Sequence, residues 1–285
     1  MKFTDHLIKI FKNHYLSIIL FSIVSIIVIS IAIVIDKWYE SLVYLFTIAC
    51  SFLIIEFIYF KKRLSNEMWK IKSPKTETYV IIFCVSATIL LGILRFIVIE
   101  DFNSLNIIIN IAIKIAALLF IYPILLFIYF KVLKKYKFKE IGFSIRYFWI
   151  AIPVIICFGL ISNLLLPEQV QFTDTIQKHG VLALITLGFL TAAIPEEFTR
   201  MLFQTRLSRI LKNKGIGWFI ASLIWALAHI PIFYNQSSSF YDAFITSIGI
   251  LPLGLFWGYL TERSKSIIPS ILIHGTNLWG LQNIF

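Results

Sequence analysis

Long apolar segments separated by short polar ones dominate the sequence. An α-helix rises about 1.5 Å per residue, so about 20 apolar residues cross the hydrocarbon core of a bilayer. Of the nine apolar runs, the first six reach that length, whereas the seventh and ninth are short. The pattern predicts an all-α, polytopic transmembrane helix bundle of about eight to nine spans. The runs are approximately residues 15–35, 41–60, 79–99, 105–130, 147–166, 181–205, 215–232, 239–261 and 267–283.

The basic residues predict the orientation of these helices. With the N-terminus in the cytoplasm, 21 of the 26 Lys and Arg residues lie on the cytoplasmic side, and only Lys37 and Lys178 lie outside. This excess is what the positive-inside rule requires. We therefore expect a cytoplasmic N-terminus. The net charge of +11 is interpreted as a membrane signal. The expected partner is therefore the lipid bilayer, and binding to nucleic acid is not expected.

The chain divides by chemistry rather than by linkers. The longest polar segment, residues 61–77, has about 17 residues and is too short for a soluble domain. We expect residues 1–145 to form N-terminal transmembrane helices and residues 146–285 to form a catalytic helical core within the same membrane-embedded unit. In the first part, Glu56 is expected to pair with the basic residues 61–63 at the membrane interface.

Two adjacent carboxylates, Glu196 and Glu197, occur inside the sixth apolar run. A charged side chain near the bilayer centre costs about 2.5–3.5 kcal/mol, so such residues usually have a function. Glu196 and Arg200 are four residues apart and share a helix face, which predicts an ion pair between them. That pair would leave Glu197 to carry a proton, or the reverse. Pro195 removes one backbone hydrogen bond and is expected to perturb the helix beside the carboxylates.

Two histidines are predicted at the same depth as the carboxylates. At about 1.5 Å per residue, Glu196 lies roughly 15 Å from Arg206. His229 lies about 16 Å from Trp218, interpreted as an interfacial anchor, and His274 about 14 Å from Lys265. Each histidine alone could be an ordinary core residue. The shared depth on three helices predicts that the side chains meet in one cavity, which we expect to open towards the cytoplasm.

These residue types support the activation of water. A glutamate can act as a general base, and an imidazole can hold or polarise the partner oxygen. Asn277 lies three residues after His274 on the same helix face and can donate its amide to an oxyanion. Alternatively, Glu, His and His could bind a divalent metal such as zinc. The spacing does not decide between these chemistries, because the side chains come from different helices.

The order of these motifs resembles that of the CPBP family, the CAAX-protease and bacteriocin-processing intramembrane proteases. The common features are a Glu pair followed by Arg, an aromatic residue four positions before a His, and a second His followed by Asn. The segment 254–270 also looks like that family, and the resemblance covers about residues 146–285. The residues that carry it are Glu196, Glu197, Arg200, Trp225, His229, His274 and Asn277.

Three positions differ from the family pattern. Two residues instead of three separate the Glu pair from Arg200, and Trp225 occupies a position where Phe is usual. The Asn or Asp usually found four residues after the second His is replaced by Leu278, with Asn277 one position earlier. These differences favour, as an alternative, a catalytically inactive scaffold or immunity protein.

The resemblance implies hydrolysis of peptide bonds within the membrane by water that Glu and His activate, in a glutamate-type or metal-dependent reaction. The implied substrate is a prenylated or membrane-associated peptide, such as a bacteriocin or a signalling peptide. The richness in Ile, Lys and Phe suggests a bacterial source and therefore the cell membrane. A transporter with a proton relay is a third interpretation, but no inverted pair of interrupted helices is visible.

Overall fold

The computed structural model describes residues 3–62, 69–99, 121–166, 180, 182 and 184–277. Within these ranges the regular structure is entirely helical, without any strand, which confirms the predicted all-α class. The side chains of residues 13, 62, 88–99, 121, 122, 184, 187 and 277 lie outside the description.

The first half consists mostly of long helices. Helix α2 is almost purely apolar, and α3 and α4 are longer still, so each has the length of a membrane span. A π-helical turn at Tyr129–Leu133 and a 3₁₀ turn at Phe138–Ile141 lead away from α5. The helices are α1 (Phe3–Asn13), α2 (Tyr15–Val34), α3 (Trp38–Lys62), α4 (Pro74–Ile99) and α5 (Ile121–Ile128).

A 3₁₀ turn at Phe148–Ile150 begins the second half, which continues with shorter helices interrupted at several points. Proline is the second residue of four of them. A π-helix at Leu184–Ala193 precedes α7. The helices are α6 (Ala151–Leu165), α7 (Ile194–Ile210), α8 (Lys214–Leu227), α9 (Ile230–Ser237), α10 (Phe240–Gly249), α11 (Leu251–Ser264) and α12 (Ile268–Asn277).

Five helical segments within the described ranges are long and apolar enough to cross a membrane. The protein is therefore a multi-pass membrane protein. The total of eight to nine spans and the cytoplasmic N-terminus stay predictions, and most of the predicted run 105–130 lies outside the described residues. The five segments are Tyr15–Val34, Trp38–Lys61, Phe148–Leu165, Lys214–Ser237 and Phe240–Ser264.

Two apolar clusters surround the helices that carry the predicted site. One joins α2, α3, α6, α8 and α11 through residues such as Val28, Val154 and Phe256, and the other joins α4, α5, α7 and α12 through Phe130 and Met201. Helices from both sides of residue 145 contribute to each cluster. The helices around the predicted site belong to these clusters, α8 and α11 to the first and α7 and α12 to the second. Their contacts with one another fix the spacing of the carboxylates and imidazoles.

Glu56 forms an ion pair with a residue far from it in the sequence. Arg263 donates to both of its carboxylate oxygens at 2.6 and 2.8 Å, and Tyr259 donates a further hydrogen bond. His6 of the amphipathic helix α1 lies 3.0 Å from the same carboxylate. The partner differs from the predicted one because α3 and α11 pack together, which a local reading of the sequence could not show. This cluster ties α1, α3 and α11 together.

Glu77 and Arg206 form a second buried ion pair, between α4 and α7. The Arg206 Nε donates to Glu77 Oε2 at 2.9 Å, and Tyr136 donates to Glu77 Oε1 at 2.7 Å. Arg206 also lies over the Phe130 ring, with 4.7 Å from Cζ to the ring centroid. Both charged side chains are completely buried. Arg206, counted among the cytoplasmic basic residues, is therefore enclosed by protein, and its depth in the membrane stays a prediction.

Candidate active site

The first turn of α7 presents both carboxylates. Pro195 stands beside the change from π-helix to α-helix, which is the local perturbation expected from its missing N–H. Successive residues of a helix point about 100° apart, so Glu196 and Glu197 face different neighbours. Glu197 is fully buried, whereas the Glu196 side chain is 24% exposed. The two glutamates therefore occupy different environments.

Glu197 is held by a cation and an imidazole. Arg200 Nη2 donates to Glu197 Oε2 three residues earlier on α7, and His274 Nδ1 on α12 lies 3.1 Å from Glu197 Oε1. The predicted pairing of Arg200 with Glu196 was wrong. Residues three and four positions apart both share a helix face. Arg200 pairs with Glu197 because this carboxylate is the one buried beside its guanidinium. Removing one partner of such a buried pair is costly.

Glu196 lies at the meeting point of the two histidines. Its Oε2 is 3.7 Å from His229 Nε2 and 3.8 Å from His274 Nε2. The same oxygen accepts a hydrogen bond from Trp225 Nε1 at 2.5 Å. Three helical segments thus bring together the four side chains that the sequence predicted to meet. The direction in which the site opens stays a prediction.

Hydrogen bonds at Nδ1 assign the tautomers of both imidazoles. His229 Nδ1 lies 2.9 Å from the Trp225 carbonyl oxygen, which can only accept, so Nδ1 carries the hydrogen. His274 Nδ1 faces the carboxylate of Glu197, which likewise accepts. In its neutral form, each ring directs the lone pair of Nε2 towards Glu196. The separations of 3.7 and 3.8 Å between Nε2 and Glu196 Oε2 exceed a direct hydrogen bond.

Aromatic rings enclose the imidazoles. Trp257 stacks on His274 with 3.9 Å between ring centroids and an interplanar angle of 14°. Trp225 meets His229 edge to face at 4.6 Å, and Phe233 stacks on His229 at 5.9 Å. These rings restrict the orientation of both imidazoles and exclude water from one side of each. In such low-polarity surroundings, charge interactions at the carboxylates are stronger than in water.

Two glycines let α11 approach the site closely. A Cβ atom at Gly254 would lie 2.6 Å from Trp225 Cε3, and one at Gly258 would lie 2.6 Å from Arg200 Nη1. Only glycine leaves room for these side chains. Gln204 donates to the Gly258 carbonyl at 3.0 Å, which fixes α7 against α11. The segment that resembled the family in sequence thus forms one wall of the site.

Trp218, the expected interfacial anchor, is buried among the helices. Its Nε1 donates to the Leu255 carbonyl at 2.8 Å, so it joins α8 to α11, and its depth in the membrane stays a prediction. Asn277 ends α12, and its side chain lies outside the described part of the structure. Its role as an amide donor therefore stays a prediction.

Two contacts of the site were not predicted from the sequence. Trp225 was recognised only as an aromatic residue before His229, not as a donor to Glu196, and the ring of Trp257 over His274 was not singled out. The exchange of the usual Phe for Trp was the available signal for the first contact, because Trp alone offers an N–H. The second depends on the packing of α11 against α12.

The donor types at this site suit zinc, but their geometry does not form a ready metal site. Two imidazole nitrogens and a carboxylate are common zinc ligands. Among the residues that the structure describes, no group of three or more His, Cys, Asp or Glu side chains could hold a metal ion. In addition, the Glu196 oxygen nearest both rings already accepts the Trp225 N–H. The arrangement is better matched to a bound water than to a preformed metal centre.

The site lies within a segment that matches a known family. The family model for type II CAAX prenyl endopeptidase Rce1-like proteins matches residues 178–279. This match confirms the resemblance to the CPBP family. It spans just over a third of the chain and contains every predicted site residue. No match was found among curated proteins or among solved structures. The family supports a CAAX-protease-like peptidase of the membrane.

Proposed function

We propose that this protein is an intramembrane endopeptidase that hydrolyses peptide bonds with water activated by Glu196. The observation that carries the proposal is the position of Glu196 Oε2, 3.7 and 3.8 Å from the Nε2 atoms of His229 and His274. These side chains come from three separate parts of the chain within the matched segment. The family match supports peptide hydrolysis, and the convergence supports the presence of the required groups in this member.

In the proposed reaction, a water molecule lies between Glu196 and the imidazoles. One O–H donates to the Glu196 carboxylate and the other to an Nε2 lone pair. As the water oxygen attacks the carbonyl carbon of the scissile bond, Glu196 takes the first proton and the carbonyl electron pair moves to oxygen. The tetrahedral intermediate then collapses, the C–N bond breaks, and Glu196 returns its proton to the leaving nitrogen.

Glu197 supports this chemistry without contacting the water in the proposal. It accepts from Nδ1 of His274, so the ring keeps its Nε2 lone pair towards the water. Arg200 offsets the charge of Glu197, which limits its repulsion of the neighbouring carboxylate Glu196. We assign to Asn277 the amide that faces the oxyanion, as the sequence predicts.

The proposed substrate is a prenylated or otherwise membrane-associated peptide, such as a bacteriocin or a signalling peptide. A lipid-modified peptide concentrates at the bilayer, where the five apolar helical segments place this protein. We place the protein in the cell membrane of a bacterium. Because the described residues form no ready metal site, we propose a glutamate-type reaction. Full turnover after treatment with a strong zinc chelator is the expected result, and loss restored by zinc would contradict it.

The function is tested with purified protein in liposomes and an internally quenched farnesylated peptide that ends in a Cys-aliphatic-aliphatic-X sequence. The wild type is expected to cleave this peptide at one bond, as identified by mass spectrometry, and Glu196→Gln is expected to slow cleavage by about 10²–10⁴-fold. Glu262→Gln is the matched control, because Glu262 has the same 24% side-chain exposure and lies outside the site. Absence of cleavage by a folded wild type would favour the inactive scaffold instead.

A further inference from the structure

We infer that Trp225 is a positioning residue for Glu196, and that its indole N–H fixes the carboxylate between the two imidazoles. The inference rests on the proposed role of Glu196. Phenylalanine, which the family pattern usually has at this position, offers no hydrogen-bond donor. This chain therefore uses a contact that a phenylalanine in its place could not make.

The donor meets the oxygen that faces both histidines. Trp225 Nε1 is 2.5 Å from Glu196 Oε2, the atom that lies 3.7 Å from His229 Nε2 and 3.8 Å from His274 Nε2. A hydrogen bond to an ionised carboxylate is short and stronger than one between neutral groups. Glu196 is the more exposed of the two glutamates. Without this bond its carboxylate could rotate away from the histidines.

The indole itself has little freedom to move. Trp225 is only 8% exposed, and its ring contacts the Trp257 ring edge to face at 5.2 Å. On the side of α11, a Cβ atom at Gly254 would lie 2.6 Å from Trp225 Cε3. A donor that is packed in this way holds a side chain in place more effectively than a mobile one.

Trp225 also orients one of the imidazoles through its backbone. Its carbonyl accepts from Nδ1 of His229 at 2.9 Å, one helical turn further along. The ring of the same residue packs edge to face on His229 at 4.6 Å. One residue thus sets the direction of the Glu196 carboxylate through its side chain and the tautomer of His229 through its main chain. Replacing the side chain by phenylalanine removes only the first of these effects.

The structure offers a matched control in a second tryptophan. Trp69 Nε1 donates to Glu262 Oε2 at 2.8 Å, and the side chain of Glu262 has the same 24% exposure as that of Glu196. This second pair lies outside the site. Trp69→Phe therefore removes an indole-to-carboxylate hydrogen bond from the protein without changing the proposed catalytic groups.

The kinetic experiment compares Trp225→Phe and Trp69→Phe with wild type in liposomes. For Trp225→Phe we expect kcat to fall by about 10-fold to 100-fold, as when a group that orients a reacting one is lost, with KM essentially unchanged. Trp69→Phe should keep the wild-type kcat. Gly254→Ala, which keeps the donor but displaces the ring, should also lower kcat. Wild-type kcat in a folded Trp225→Phe protein would overturn the inference.

A spectroscopic experiment tests the contact without any turnover. The indole N–H resonance of Trp225, identified by its loss in Trp225→Phe, should move upfield in Glu196→Gln because the acceptor loses its charge. It should not move in Glu262→Gln, which should shift the Trp69 resonance instead. A Trp225 resonance that is unchanged in Glu196→Gln would overturn the inference. If that resonance shifts but the wild type cleaves no peptide, the hydrogen bond stands and the proposed function fails.

Discussion

Helix α7 carries two clusters of buried charge, one near each end, and they differ in how completely their carboxylates are bonded. Near the C-terminal end, Glu77 accepts from Arg206 through one oxygen and from Tyr136 and Ser73 through the other. Near the N-terminal end, Glu197 is similarly paired, but Glu196 is partly exposed beside two imidazole lone pairs.

The difference separates charge that stabilises the fold from charge that is available for chemistry. Removing Glu77, whose two carboxylate oxygens are both bonded, leaves an unpaired charge in the protein interior. At Glu196, by contrast, neither Nε2 atom lies within hydrogen-bond distance of the carboxylate, so in the proposed reaction these groups are available to a reactant water. Both clusters contain a glutamate near an arginine, so composition alone would not distinguish them. We therefore expect changes near the C-terminal end of α7 to lower stability and changes near its N-terminal end to lower activity.

The largest effect is expected from the exposed carboxylate. Glu196→Gln should lower kcat by about 10²–10⁴, because a general base is lost, and should leave the unfolding temperature unchanged. Glu197→Gln should lower kcat less and should lower the unfolding temperature, since Arg200 loses its buried partner. Peptide cleavage and thermal unfolding measured on both variants test this order. A Glu197→Gln protein without turnover beside an active Glu196→Gln protein would reverse our assignment.

The opposite outcome is expected at the other end of the helix. Glu77→Gln should destabilise the protein by about 3–5 kcal/mol, because it leaves the guanidinium of Arg206 buried without its carboxylate. Activity measured well below the unfolding temperature should stay near the wild-type value. Denaturant unfolding in detergent measures the effect, with Glu140→Gln as a control at a carboxylate that pairs with the exposed Lys70 outside this cluster. A Glu77→Gln protein of normal stability that no longer cleaves peptide would contradict the proposed division.

Asn277 tests how far the active cluster extends along α12. Asn277→Ala should lower kcat by about 10²–10³, the usual cost of removing one oxyanion donor, without loss of stability. Asn213, whose side chain caps α8, provides the control, since Asn213→Ala should reduce stability rather than turnover. Normal turnover by Asn277→Ala on a sensitive substrate would remove this residue from the site.

The sequence predicted the helical class and the meeting of Glu196, Glu197, His229 and His274. Apolar runs of spanning length were sufficient for the helical class, and the shared depth of the residues on three helices predicted that they meet. The charge pairings were predicted less well. The partner of Arg200 depends on which of two neighbouring glutamates is buried, and spacing along a helix does not contain that information.

Longer-range pairs were missed for a related reason. Glu56 and Arg263 are 207 residues apart, and Glu77 and Arg206 are 129 residues apart. Nothing local links the members of either pair, so their contact follows only from the packing of α3 with α11 and of α4 with α7. Arg206 was counted among the cytoplasmic basic residues because it follows an apolar run. In the fold, ion pairing allows this cation to be buried.

The smallest expected effect is the pH dependence of stability that comes from Glu77 and Tyr136, near the C-terminal end of α7. Burial alone would raise the pKa of Glu77, but Arg206, Tyr136 and Ser73 outweigh it and hold the pKa below its usual value. Burial and the bond to Glu77 raise the pKa of Tyr136 to about 12. The Glu77 contribution is therefore present above the ordinary glutamate pKa and is lost as pH falls through the lowered value. The Tyr136 contribution is present below about pH 10 and is lost as pH rises towards 12.

Thermal unfolding of the detergent-solubilised protein across the pH range tests both limits. Wild type should be most stable between about pH 5 and 10, with losses on the order of 2 kcal/mol on the alkaline side, since one pKa unit corresponds to 1.36 kcal/mol. Glu77→Gln should reduce the loss of stability at acidic pH, and Tyr136→Phe should reduce the loss at alkaline pH. If Glu77→Gln left the loss of stability at acidic pH unchanged, the Glu77 ion pair would not contribute to stability, and the proposed division between the two ends of α7 would be wrong.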